Sequence, residues 1–481
     1  MATATQIDVP KTRLPRSQLL PQKALAILRR LEVNQAVFFS ILTQGWSALA
    51  GLVTMLIIAH WLTAIEQGYY YTFSSVLALQ IFVELGLVTV IVQVASHEWA
   101  FLKKEADGQI SGNLRALSRL ASLLRFATSW YAVSGLLVII GLSLGGYLFF
   151  SAKPSLGVAW QGPWLSLCAI AGLALMISPL FSVIEGCNQV ASIYSFRFVQ
   201  GVLNSLAIMG CILLGMGLHA LVAAALVRFV CGLAFIAWKH RPFIQQLLTC
   251  SVREHIEWRS EIWPFQWRIG VSWISGYFIF SIFTPVMFYY HGPRVAGQMG
   301  MTLALVAAIE SVSYAWINTR MPQFGMLIAR RQFTELDGSF RRLLWIALAM
   351  AAAAATGVWG FILCLHHTRS SLGERVLPLL PVTLFLGQRI LNLPISTMAF
   401  YLRAHKREPL MILSLVSAVM VGFCTCILGA NWGPTGAASG FLLVTIFWSF
   451  PATYFVFRQC RASWHQDADH RPAALRDALL S

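Results

Sequence analysis

The sequence predicts an all-α polytopic membrane protein, with about 12 transmembrane helices arranged as two pseudo-symmetric six-helix lobes. Three observations predict it. The 481 residues are 57% apolar and 11% charged, with a mean hydropathy of +0.68, whereas soluble domains carry about 25% charged residues. Apolar runs of bilayer-spanning length recur twelve times between charged or Gly/Pro breaks. A weak internal repeat returns at 215 to 226 residues.

Residues 1–34 hold Pro10, Pro15 and Pro21 with six basic residues from Lys11 to Arg30, ahead of any long apolar run. That pattern fits no signal peptide and reads as a cytoplasmic N-terminal tail. The apolar runs are 35–62, 68–95, 126–150, 158–184, 196–216 and 218–238, then 268–290, 295–319, 343–366, 376–402, 409–430 and 435–457. They group into an N-lobe (35–238) and a C-lobe (268–457), followed by a C-terminal tail (458–481). Between the lobes, 239–267 contains Trp258, Trp263 and Trp267 among basic residues and Glu254, Glu257 and Glu261. It reads as an amphipathic linker on the inner leaflet.

Charge placement sets orientation. Of the 35 Lys and Arg, 29 fall in the tails and every second connector, four on the opposite side, and two within helices. Basic residues mark the cytoplasmic side, so both termini are inside. The excess of +16 is thereby a topology signal spread over separate segments, and nucleic acid is excluded as a partner.

The repeat pairs Glu84 with Glu310, Pro179 with Pro394 and Gly217 with Gly433. Six helices per half is an even number, so the halves share one orientation and their pseudo-symmetry axis runs along the membrane normal. Carriers of that plan bind near the midplane between the lobes. The outer connectors are too short for an external catalytic domain, and no GxxxxGK[ST] phosphate loop occurs. Transport or lipid translocation remains, with no cofactor called for, and the nine cysteines read as packing residues without a metal role.

Glu84, Arg228, Glu310 and Arg389 fall near the middle of their helices, where a lipid-facing charge costs about 2.5 to 3.5 kcal/mol. Helical spacing gathers Asn318 below Glu310, and Gln388 and Asn392 around Arg389, while Gln80 precedes Glu84 by one turn. Two readings stand. Glu84 pairs with Arg228 and Glu310 with Arg389 to hold each lobe together; or Arg389 and Arg228 face a cavity, bind an anionic head group with Gln388, Asn392 and Asn318, and leave Glu310 and Glu84 for ion coupling. His60 beside Trp61, the tyrosines 69–71 and 289–290, and His97 with Glu98 read as interfacial or solvated positions.

The run Glu66-Gln67-Gly68-Tyr69-Tyr70-Tyr71-Thr72-Phe73, then Glu84-Leu85-Gly86-Leu87 and Gln93-Val94-Ala95-Ser96-His97-Glu98, resembles the first two helices of the polysaccharide biosynthesis family. These are the Wzx-like O-antigen and exopolysaccharide flippases of the multidrug/oligosaccharidyl-lipid/polysaccharide (MOP) exporter superfamily. Gly292-Pro293, Ala296-Gly297-Gln298, Gly300 and Thr319-Arg320-Met321-Pro322 are similar to the family's seventh and eighth helices. The resemblance implies two bundles that alternate between inward- and outward-open forms in the bacterial inner membrane. The cargo would be an undecaprenyl-diphosphate-linked oligosaccharide, handed on to polysaccharide polymerase and chain-length machinery. The alternative within the superfamily is a cation-coupled multidrug exporter, disfavoured by helices that lack Asp and carry Arg.

Overall fold

A computed structural model describes residues 35–105, 108–154, 156–405 and 409–469, without the side chains of 36–37, 311–316, 318–323, 329 and 465–469. The expected tail 1–34 lies outside the described residues, as does the chain beyond 469. What is described is helix and connecting turns, plus one small hairpin in which β1 (Leu102–Lys104) pairs antiparallel with β2 (Ile110–Gly112).

Twelve helical segments overlap the twelve expected runs. They are α1 (Gln35–Trp61), α2 (Ala64–Glu84 with Leu87–Trp99), α3 (Leu114–Ser151), α4 (Gln161–Gly186), α5 (Val190–Leu213) and α6 (His219–Lys239). The second half supplies α7 (Trp258–Phe280 with Phe283–His291), α8 (Pro293–Ala329), α9 (Phe333–His367), α10 (Leu379–Ala404), α11 (411–432) and α12 (434–469). Eight helical stretches are long and apolar enough to cross a membrane, or ten if each bent pair is one crossing. That falls short of twelve because α11 and α12 run on as one stretch, and because α8 is less apolar, with Arg294, Glu310 and Arg320 along it.

Local chemistry explains the boundaries. Thr63 opens α2 with a capping box: its hydroxyl accepts from the Glu66 N–H, and the Glu66 carboxylate accepts from the Thr63 N–H at 2.8 Å. Asn113 caps α3 through the Arg115 N–H. α2 bends by 46° where Leu85 and Gly86 adopt left-handed backbone, directly after Glu84. Gly433, at φ 58° and ψ −146°, holds a conformation open to glycine alone at low cost. The chain reverses there: Ser417 Oγ lies 3.0 Å from Ser449 Oγ, so α11 and α12 form a helical hairpin. Gly217, its repeat partner, likewise takes a positive φ ahead of α6, and Pro179 and Pro394 both lie inside helices.

The two ends of the bundle pack differently. Away from the termini, both halves share one core, in which Tyr69, Phe73, Phe150, Trp164 and Phe288 are fully buried. Toward the termini the first half keeps a core of its own, from Leu87 to Ile262.

Three expectations change. Tyr69 and Tyr70 are 0% and 7% exposed, core residues rather than interface anchors, because successive residues on a helix face different ways and α2 is covered on several sides. Tyr289 and Tyr290, at 44% and 50%, do stand outside. Glu98 is no solvated boundary, since its carboxylate lies 2.8 Å from Arg119 Nε, and Arg119 also holds Glu261 at 2.6 Å. The segment joining the halves is fastened to the first half. Its short helix Arg241–Thr249 buries Phe243, Ile244 and Leu247, and Ser118 Oγ accepts from the N–H groups of Arg253 and Glu254 at 2.8 and 3.0 Å. Helical structure resumes at Trp258, well before the expected residue 268.

Candidate functional site

In the second half the midplane charges meet. Arg389 on α10 is 9% exposed, and its Nη1 lies 2.8 Å from Glu310 Oε2 on α8. The guanidinium carbon sits 5.0 Å from the centre of the Phe280 ring of α7, a cation–π contact that closes the pair on one side. Asn392 donates weakly to Glu310 Oε1 at 3.5 Å. Gln388, 1% exposed, donates to Thr445 Oγ1 at 3.2 Å, while its own carbonyl oxygen has no hydrogen-bond partner among the described residues. Both amides line a cleft of about 150 Å³ between α7, α10, α11 and α12. Asn318 lies on α8 with its side chain outside the described residues.

The first half arranges the same residue types otherwise. Glu84, the last residue before the break in α2, and Arg228 on α6 line one cavity of about 350 Å³ together with Gln80, Ser178 and Asn204. No ion pair joins Glu84 to Arg228 among the described residues. Arg228 is exposed and also borders a neighbouring cavity of about 210 Å³ beside Arg197 and Gln200, whose amide donates to the Arg228 carbonyl at 2.9 Å. The cavity therefore offers a guanidinium and a carboxylate that have no ionic partner among the described residues, and a polar rim. Helical spacing brings Gln80 and Glu84 together as expected. Ser178 and Asn204 were not foreseen: they come from α4 and α5, and only tertiary packing brings them here.

A third feature closes the end away from the termini. Gly68 of α2 meets the start of α8 so closely that a Cβ there would lie 1.9 Å from the Pro293 carbonyl oxygen. One and two turns along, Gly297 packs on Gly68 and Gly300 on Tyr71. Gln67, 1% exposed, donates to the carbonyls of Gly297 at 2.9 Å and Arg375 at 3.1 Å, and accepts from Arg375 Nη1 at 3.4 Å. Small residues allow such backbone approach in a bilayer, and a buried amide adds interhelical hydrogen bonds. The clasp joins the two stretches that carried the family resemblance, one from each half, and sequence alone showed no reason for them to touch. Below it, α1 and α8 leave a gap of about 550 Å³ lined by Thr43, Gln44, Ser47 and Met55 against Leu305 and Ala308.

No family model matches the chain, and no curated protein matches it. Solved structures do. An inward-facing multidrug resistance MATE family transporter of the MOP superfamily aligns with a TM-score of 0.54 at 13% identity, over 86% of this chain and 99% of that one. The lipid II flippase MurJ in an inward closed conformation aligns at 0.55 with 12% identity, over 88% and 87%. A MOP superfamily transporter from Pyrococcus furiosus, described as having a binding pocket of reversed polarity, aligns at 0.51 with 14% identity, over 89% and 96%. At these identities the likeness is one of fold: the structural neighbours of this chain are MOP superfamily transporters.

Proposed function

We propose that this chain is a lipid-linked oligosaccharide flippase. It carries undecaprenyl-diphosphate-linked glycan repeat units across the bacterial inner membrane, for O-antigen or exopolysaccharide export. It works by alternating access between lobes 35–238 and 268–457, with both termini cytoplasmic. Arg228 carries the reading: a guanidinium without an ionic partner among the described residues, open to a cavity rimmed by Gln80 and Asn204. Guanidinium matches phosphate oxygens bidentately, and amides suit sugar hydroxyls. The polyprenyl tail stays in lipid and enters through the gap between α1 and α8. The likeness of fold to a lipid II flippase supports the same cargo class.

In this scheme the second half supplies Arg389, Gln388, Asn392 and Asn318 once the Glu310 pair opens. Glu310 and Glu84 are the coupling carboxylates, because a proton on Glu310 removes the charge that holds Arg389. In this scheme the clasp of Gln67, Gly68 and Pro293 is the outer seal.

Cells lacking the protein should accumulate one polyprenyl-diphosphate glycan in the cytoplasmic leaflet, read by mass spectrometry with a leaflet-accessibility assay. The unpaired Glu84 and the likeness to a multidrug transporter favour one second reading, export of organic cations. Sensitivity to cationic dyes without glycan accumulation would select that reading.

A further inference from the structure

The cleft of about 150 Å³ in the second half follows the helices that wall it. On α10 its lining runs from Gln388 and Asn392 to Arg403, and on α12 from Thr445 through Ser449 to Thr453. Arg403 and Pro409, which mark its termini end, are exposed, whereas Gln388 is 1% exposed. Gln388 and Arg403 stand 15 residues apart, about 22 Å along a helix.

The wall is polar inside an apolar bundle. Ser417 Oγ meets Ser449 Oγ at 3.0 Å, and Gln388 donates to Thr445 Oγ1 at 3.2 Å. Two further atoms are left over. Gln388 Oε1 and Thr453 Oγ1, on residues 1% and 0% exposed, have no hydrogen-bond partner among the described residues. A buried polar atom is costly unless it is bonded, and ordered water supplies the bond where a polar cavity has room for it. α12 also takes one turn of π-helix at Thr445–Ser449, a local break in helical bonding of a kind that recurs at functional sites.

The buried end of the cleft reaches the ion pair. Asn392 lines it and lies 3.5 Å from Glu310 Oε1, while Glu310 Oε2 holds Arg389 at 2.8 Å. Phe280 of α7 covers Arg389. α1, α9 and the first stretch of α2, which also pack on α8, present no charge at that depth. Arg403 is the one charged residue among the described lining of the cleft. The clasp of Gln67, Gly68 and Pro293 closes the other end of the bundle, and the cleft leads from Glu310 toward the termini.

We propose that this cleft holds a file of waters through which Glu310 gives up its proton to the side of the termini. The inference rests on Glu310 being a coupling carboxylate. The protonated carboxyl donates to a water beside Asn392, and the file passes a proton past Thr445, Ser449 and Thr453 to solvent at Arg403 and Pro409. Glu310 keeps the electron pair of the broken O–H bond, and the carboxylate so formed holds Arg389 as the structure shows. The hydroxyls and amides position the waters, and the waters carry the proton.

The test reads deuterium exchange at Glu310 itself, by infrared spectroscopy of the full chain in phosphatidylcholine bilayers. The sample is acidified until the carboxyl band assigned by its loss in Glu310→Gln appears, then moved from H2O to D2O. The wild-type band should shift at once. Ser449→Ala/Thr453→Val should slow the shift on the order of tenfold, the worth of about one hydrogen bond to the file, and should melt near the wild-type temperature. Thr453→Val alone keeps the side-chain shape and should slow it in the same direction. Thr356→Val, which removes an exposed hydroxyl bonded to the Ala352 carbonyl of its own helix at 2.8 Å, should exchange as the wild type does. Wild-type exchange in both cleft variants would overturn the water file, as would equal slowing by Thr356→Val. A spectrum unchanged by Glu310→Gln would mean that Glu310 takes up no proton, and the coupling role would fall together with the route.

Discussion

Glu310 and Arg389 stand 2.8 Å apart in the second half, mostly withdrawn from solvent, whereas Glu84 and Arg228 share a cavity in the first half without pairing. Each half carries one such carboxylate and one such guanidinium, so the residue types alone do not decide the outcome. The backbone around them differs. Glu310 lies within an unbroken helix that faces α10, and Phe280 covers its partner. Glu84 ends a helix that breaks at Leu85 and Gly86, beside a bundle that leaves space. In the described state the second half holds its charges in a pair, and the first leaves them apart beside a cavity.

The largest effect should come from the surface that joins the halves. Gly68→Ala would push a Cβ into the Pro293 carbonyl, while Gly45→Ala meets nothing within 4 Å. Export assays should show transport lost in the first variant and kept in the second; full transport by Gly68→Ala would mean this seal is no gate. Next comes cohesion within the second half. Arg389→Ala leaves Glu310 partly buried and unpaired, which should cost about 3 kcal/mol in melting experiments and be largely restored by adding Glu310→Gln. Arg228→Ala should change stability by less than about 1 kcal/mol, having no ionic partner among the described residues to abandon.

How much of this was legible in the sequence follows the same division. Helix positions, the turns at Gly217 and Gly433 and the four midplane charges were readable, because hydropathy, glycine and intramembrane charge are local signals; the break after Glu84 was not, since 68–95 reads as one apolar run. Which charges would pair was not, because the distance from Glu310 to Arg389 depends on how α8 meets α10. Tyr69 was misread for the same reason: a tyrosine in an aromatic run looks interfacial until the helices covering it are placed. The clasp of Gln67 and Arg375 joins residues about 300 apart, and no local pattern links them.

Smaller effects separate the termini ends of the two halves. Arg119 holds both Glu98 and Glu261 and is 22% exposed, whereas Arg461 has Asp337 as its one carboxylate among the described residues and is 45% exposed. Arg119→Ala should therefore cost about 2 kcal/mol of stability and Arg461→Ala about 1 or less, with added salt erasing more of the second. The smallest effect is tied to pH. The His240 value of about 4 lies below the ordinary 6.5, so the unfolded chain takes up the proton first. The stability from neutral His240 is then complete above about 6.5 and lost as the pH falls toward 4. Melting temperatures across that window should drop in the wild type and drop less in His240→Gln.

The central claim, proposed above, is that Arg228 is free to meet the cargo in the described state, while Arg389 becomes available only when its pair with Glu310 opens. Its most direct test is flipping of a polyprenyl-diphosphate glycan in reconstituted vesicles, measured beside melting temperature for Arg228→Ala and for wild type. The account predicts an Arg228→Ala protein that melts like the wild type and does not flip the lipid. Flipping at the wild-type rate by that variant would contradict it.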